Sequence, residues 1–147
     1  MPLAERSAEA VWEGNLAGGK GTVTPATGAF DTLPVSWAAR TEQPGGKTSP
    51  EELAAAAHAS CYSMALSNVL DQRGAAPERL TVSSTVTLDK VDDAPTVVSS
   101  ALTVRGRVPG LDEAGFKEAA EEAAAGCPIS RLFAGAKITV DATLDNA

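Results

Sequence analysis

Histidine occurs once in this 147-residue chain, at position 58, and cysteine only twice, at 61 and 127. So few ligands exclude a His-rich metal site, and two thiols close a zinc site only if His58 and a carboxylate join them. Basic residues are outnumbered: 12 Lys and Arg stand against 19 Asp and Glu, giving a net charge of −7. That balance argues against nucleic acid, which rewards basic patches. Long apolar runs are missing as well. No stretch approaches the roughly 18 to 20 apolar residues that span a bilayer. The opening MPLAERSAEAVWEG carries acids and has no apolar signal region. The expected setting is the cytoplasm, where thiols are kept reduced and a disulfide is more often transient and catalytic than structural. Internal repeats, low-complexity tails, linkers and a phosphate-cradling Gly-rich motif are also lacking.

What is present is ordinary for a globular protein: 44% hydrophobic and 21% charged residues. The length predicts one domain, residues 1–147, able to bury its own core. The chain is organised around TSPEELAAAAHASCYSMALSNVL, residues 48–70. Ser49 is suited to an N-cap, Pro50 to the first helical position and Glu52 to the return half of a capping box. Ala54, Ala55, Ala56, Ala57, Ala59 and Ala65 supply strong helix propensity. Gly74 offers a stop, with Arg73 near the negative end of the helix dipole. The apolar positions are mostly small, which suits a central helix that other backbones approach closely. Cys61 lies near its middle.

Before this helix, alternation predicts strands over 8–15 and 20–24, turned at Gly18-Gly19. Turn chemistry fills 25–34, and Val35 to Arg40 reads as a short edge strand. After Gly74, Leu80, Val82, Val86 and Leu88 share one strand face, with Ser84 between them. Val98, Leu102, Val104 and Val108 share the face of the next strand, across an acidic turn at 91–95. Asp112 can cap a helix from Glu113 to about Ala125, with Phe116, Ala119, Ala120 and Ala123 on its inner face. Pro128 can open a short helix to Phe133 and leave Cys127 at its N-cap. Ile138, Val140, Ala142 and Leu144 alternate in a last strand over 137–144. The sum is an α+β fold with mainly antiparallel pairing.

A free thiol titrates near 8.5 and is only about 3% ionised at neutral pH. Burial in an Ala-rich helix lowers that fraction, and an adjacent arginine raises it. Making the thiolate dominant needs about 4 kcal/mol of preferential stabilisation, which a desolvated guanidinium plus a hydrogen bond can supply. Arg40, before the central helix, and Arg131, just after Cys127, are the candidate arginines for the two cysteine segments. Glu51 is ten residues before Cys61, about 15 Å along the helix and on roughly the same side. It cannot touch the sulfur but could hold an arginine that does. On residue physics alone Glu51 reads as a first-turn acid, Cys61 as a small buried hydrophobe, and Cys127 as either a tight-turn residue or a dipole-stabilised thiolate. His58, three residues before Cys61, could form a Cys–His pair, though no third orienting group is evident.

The segment TSPEELAAAAHASCYSMALS closely resembles the central helix of the family of osmotically inducible protein C (OsmC) and organic hydroperoxide resistance (Ohr) proteins. WEGNLAGGKGTV resembles the family's opening hairpin, LDKVDDAPTV its strand and turn after the helix, and VPGLDEAGF with AAAGCPISRLF its second cysteine segment. His58 and the LDKV segment are more similar to the OsmC branch. The resemblance spans nearly the whole chain. It implies an OsmC-like fold of antiparallel sheets packed around long central helices in an intertwined homodimer. It also implies a thiol peroxidase for organic hydroperoxides and hydrogen peroxide, acting in stress defence without a cofactor. Cys61 would be the peroxidatic cysteine and Cys127 the resolving one. Arg40, held by Glu51, would favour the Cys61 thiolate and orient the peroxide, and a dithiol, lipoyl-linked in this family, would reopen the disulfide. The other class to weigh is a non-catalytic dimer holding a lipid or small ligand in an apolar cleft, with structural cysteines.

Overall fold

The computed structural model of the protein describes residues 1–135 and 137–146. The chain divides into two compact units, Met1–Pro50 and Glu51–Ala147.

The first unit is a three-stranded antiparallel sheet, β1 (Ala8–Glu13), β2 (Lys20–Pro25) and β3 (Leu33–Val35), with β2 in the centre. Its register sets Trp12 opposite Gly21. A Cβ at Gly21 would stand 2.6 Å from the Trp12 ring, so only glycine lets the indole lie flat on the neighbouring strand. The turn between β1 and β2 is tied by Asn15, whose side-chain oxygen accepts from the Gly18 amide at 2.8 Å. The edge strand expected over Val35 to Arg40 stops at Val35. Ser36 turns the chain: its Oγ accepts from the Ala39 amide at 3.1 Å and caps a one-turn helix, α1 (Trp37–Thr41). A good cap overrides the strand-like alternation on either side of it.

The second unit holds nearly all of α2 (Pro50–Gln72), 23 residues and about 34 Å long. The helix begins at the expected proline. It ends in a Schellman arrangement in which Ala75 N–H reaches Leu70 C=O and Gly74 N–H reaches Asp71 C=O, both at 2.9 Å. Gly74 takes φ +76°, as that motif requires. Arg73 bridges to Glu122 at 2.7 Å and Glu118 at 3.7 Å on the third helix. Strands β4 (Arg79–Val91) and β5 (Ala94–Arg107) form a long antiparallel hairpin. Asp92 and Asp93, at φ +51° and +64°, make its two-residue turn, the left-handed type that matches strand twist. Register shifts beside Thr87 and Leu88, where Val98 is the extra residue.

After β5 come α3 (Glu113–Gly126), α4 (Pro128–Leu132) and β6 (Lys137–Leu144). Asp112 caps α3 by accepting from the Gly115 amide at 2.8 Å. Strand β6 runs parallel to β5, as a crossover through two helices permits, while β1–β2, β2–β3 and β4–β5 are antiparallel. In the core the expected faces, Leu102, Val104 and Val108 of the β5 arm and Phe116, Ala119 and Ala123 of α3, meet Tyr62, Leu66 and Leu70 of α2. Tyr62 Oη donates to the Ala120 carbonyl at 2.6 Å and locks α2 to α3. Gly106 sits under Phe116, where a Cβ would approach the ring to 2.6 Å. Gly106→Ala should therefore cost about 1–3 kcal/mol by overpacking. Urea unfolding should show this as a lower midpoint at constant slope; an unmoved midpoint would mean that Phe116 turns aside freely.

Candidate active site

Two elements of the second unit bring the cysteines together. Cys61 is carried at the middle of α2, half-buried, and Cys127 is the residue between α3 and α4, fully buried. Both are free thiols, and each influences the ionisation of the other. Cys127 ends α3, its amide bonded to the Ala123 carbonyl at 2.9 Å, and it precedes Pro128, the first residue of α4. That double role pins its backbone on both sides.

The two thiols differ in acidity. Burial raises the Cys61 pKa above the ordinary value; the Ile129 amide pulls the other way, and neighbouring Cys127 adds to the rise. Burial is also the largest influence on Cys127 and also pushes upward. Here it is outweighed by the Ser130 hydroxyl and amide, the Cys61 thiol and the Ile129 amide together, so the Cys127 pKa falls. Within this unit Cys127 is the more acidic thiol. Cys127 is the N-cap residue of α4, and its side chain makes no cap hydrogen bond to the first turn of that helix.

His58 is fully buried beside this pair. Its Nδ1 meets Ser100 Oγ at 2.5 Å and its Nε2 meets Ser130 Oγ at 2.7 Å. Phe133 stands edge-on to the ring at 5.3 Å. Both ring nitrogens are taken by serines, so a direct pair with Cys61 does not form. Ser100 Oγ in turn meets Ser84 Oγ at 2.8 Å. The three serines were not among the expected site residues. Their signal was an interruption: Ser84 and Ser100 stand at inward positions of otherwise apolar strand faces, and such residues are tolerated when a buried polar partner satisfies them.

Arg40 and Glu51 fall in different units. Arg40 lies on α1, its guanidinium carbon 5.7 Å from the centroid of the Trp37 ring. Glu51 is in the first turn of α2 and is buried. Arg40 also borders a cavity of about 320 Å³ in the first unit, walled by Trp12, Leu16, Val35 and Trp37. Among the described residues, no three His, Cys, Asp or Glu side chains gather as a metal site, and no helix is long and apolar enough to cross a membrane.

Comparison with known proteins gives a consistent picture. The family described as OsmC-like protein matches residues 43–143. Peroxiredoxin OsmC of Escherichia coli (strain K12) is 40% identical over 136 residues, 92% of this chain and 94% of that one, and the protein of the same name from Shigella flexneri matches equally. Among solved structures, an organic hydroperoxide resistance protein OsmC from Legionella pneumophila superposes with TM-score 0.76 at 23% identity, over 99% of both chains. The organic hydroperoxide resistance protein OhrB of Bacillus subtilis gives 0.69 at 24%, over 95% of this chain and 98% of that one. These two likenesses speak for the fold.

The buried histidine makes a prediction about stability. Burial holds the His58 pKa below its usual 6.5, so the folded imidazole stays neutral where the unfolded one binds a proton. Its share of stability is complete above about pH 6.5 and is lost as pH falls below that value. The urea midpoint should drop between about pH 7.5 and 5.5, and His58→Gln should flatten the drop. An equal drop in the variant would place the acid sensitivity elsewhere.

Proposed function

The chain belongs to the OsmC-like family, and from that premise we propose that it is a cysteine-based thiol peroxidase acting as one domain on organic hydroperoxides and hydrogen peroxide. The observation that carries this reading is the placing of Cys61 and Cys127 in one core cluster as free thiols of unequal exposure. Half-buried Cys61 is the one that a peroxide can reach. Its thiolate attacks one peroxide oxygen, the O–O bond breaks, and an alkoxide leaves to be protonated to the alcohol. Cys61 becomes a sulfenic acid. Cys127 condenses with it to a disulfide, releasing water and protecting Cys61 from irreversible oxidation. A dithiol, lipoyl-linked in this reading, reopens the bridge by exchange.

Burial alone holds Cys61 as a thiol, so the nucleophile needs a cation. We assign that role to Arg40, held by Glu51 and orienting the peroxide. The apolar cavity bordered by Arg40 suits the organic group of a hydroperoxide. The working enzyme in this reading is a homodimer of the cytoplasm, without a cofactor. Two features support the dimer. Small apolar residues occur on every side of α2, which favours a helix covered all round. Met64 on that helix is 69% exposed and Leu132 on α4 is 72% exposed in the single chain. The other reading, a non-catalytic ligand-binding dimer, uses the same cavity but gives the paired thiols no task.

One equivalent of cumene hydroperoxide added to the reduced protein should remove two hydrogens from its intact mass. Neither Cys61→Ser nor Cys127→Ser should show that loss. Cys61→Ser should abolish turnover, while Cys127→Ser should consume one equivalent and then over-oxidise. Arg40→Ala should slow peroxide attack by about tenfold or more, since less thiolate is present. An unchanged mass with peroxide unconsumed would sink the peroxidase reading in favour of ligand binding.

A further inference from the structure

The outer face of the β4–β5–β6 sheet is polar, and three arginines gather at one end of it. Side chains alternate along a strand, so Arg79 and Thr81 of β4 share this face with Arg105 and Arg107 of β5, and all four are exposed. Register sets Arg79 directly opposite Arg107 and Thr81 directly opposite Arg105. Opposite residues on one face stand about 5 Å apart at Cβ, and like charges so placed repel. The four side chains, with Gly106 and Asp145, line a cavity of about 190 Å³.

Sheet-edge protection and ion pairing leave this cluster unexplained. Strand β5 is the central one of its sheet, so Arg105 and Arg107 do not guard an edge against stray pairing. Arg105 bridges to Asp145 at 3.1 Å. Among the described residues, Arg79 and Arg107 take part in no ion pair. The chain has a net charge of −7, yet here it sets two guanidiniums against each other beside a cavity. We propose that this corner is a binding site for a small phosphate-bearing anion, with Arg79 and Arg107 holding phosphoryl oxygens, Thr81 donating its hydroxyl, and Asp145 competing for Arg105.

A guanidinium presents a planar fork of donors that matches the oxygens of a phosphate, and a dianion between Arg79 and Arg107 turns their repulsion into attraction to a shared partner. The frame around the cavity is fixed by hydrogen bonds. Glu78 N–H donates to the Arg107 carbonyl at 2.9 Å, and Asp145 N–H donates to the Gly106 carbonyl. Asn146 Oδ1 accepts from Val108 N–H at 2.5 Å and its Nδ2 donates to the Val108 carbonyl at 2.7 Å. These bonds hold the chain's last residues beside β5 and place the Asp145 carboxylate at the cavity. Its bridge to Arg105 is an oxyanion already held there. The surroundings limit the size of the ligand. Asp89 and Asp141 stand on the same face farther along the sheet. An extended polyanion or an anionic membrane would meet them and the net negative charge, and a compact anion avoids both.

The test is a calorimetric titration of the full chain with inorganic phosphate at low salt. Saturable binding of one phosphate per chain is expected. Arg79→Gln and Arg107→Gln should each weaken it by about tenfold or more, the loss of one charge-assisted contact. Asp145→Asn should tighten it by about threefold or more, because Arg105 is released from its carboxylate. Lys117→Gln removes the same charge elsewhere, from a bridge to Glu113 at 3.6 Å, and should leave binding unchanged. The exposed side chains can be replaced without touching the core, so the variants report on binding and not on folding. Absence of saturable binding would overturn the site. So would a loss in Lys117→Gln equal to that in the arginine variants, which would mark general charge attraction, or weaker binding in Asp145→Asn. Glycerol 3-phosphate should rank the variants in the same order. Vesicles containing phosphatidic acid should not sediment the protein; sedimentation that Arg79→Gln abolishes would overturn the restriction to a small soluble ligand. Peroxide enters none of these measurements, so the site stands or falls apart from the peroxidase reading.

Discussion

A neutral imidazole sealed from water needs a partner at each ring nitrogen, and the second unit is arranged to meet that need. His58 comes from α2, Ser100 from β5 and Ser130 from α4. Leaving either nitrogen without its partner costs about 1–3 kcal/mol, a large part of the stability of a small domain. The pair of hydrogen bonds therefore sets where α4 sits against α2. Cys127 immediately precedes α4 and Cys61 lies one helical turn after His58, so the same contacts that satisfy the histidine also bring the sulfurs together. Cys127, Ser100 and His58 are each sealed from solvent, and Cys127 belongs to the same core cluster as Tyr62, Leu102 and Phe116.

Two thiols in contact do not ionise independently. A charge on one raises the cost of a charge on the other, so the pair favours a single anion. Inside this unit, the hydroxyl and the amides at the start of α4 favour that anion on Cys127. Cys61 has burial against it. Without a cation beside it, Cys61 is the less ionised thiol of the two, and the guanidinium proposed above would reverse that.

Much of this was legible in the chain, for reasons that are local. Pro50 and Gly74 bound α2 because one suits a first helical turn and the other a left-handed residue. Phe116, Ala119, Ala120 and Ala123 all proved buried, because their spacing puts them on one face of α3 over two turns. Cys127 stands at the N-cap of α4, as Gly-Cys-Pro suggested. The misreading of 35–40 is also local: the same alternation fits a strand or a capped turn, and Ser36 decided for the turn. What could not be read depends on distance. The parallel course of β6 leaves no mark on its alternation, which is the same for either direction. The bond between His58 and Ser130 joins residues 72 apart, and the only local hint was a serine where each inward strand face calls for an apolar residue.

The unequal burial of the two cysteines also orders the return half of the proposed cycle. In the disulfide, a dithiol attacks the sulfur that it can reach, and Cys61 is the half-buried one. Cys127 is then the leaving group. A thiol of lower pKa leaves faster, and the groups that lower the Cys127 pKa, the Ser130 hydroxyl and the amides of Ile129 and Ser130, remain in place around that sulfur. One set of donors thus serves opposite steps. It assists Cys127 as the attacking thiolate when the bridge closes, and it accepts charge on the same sulfur when the bridge opens. A donor set placed on Cys61 instead would make that thiol the better leaving group in the bridge and would favour attack at the buried sulfur, which an external dithiol cannot reach.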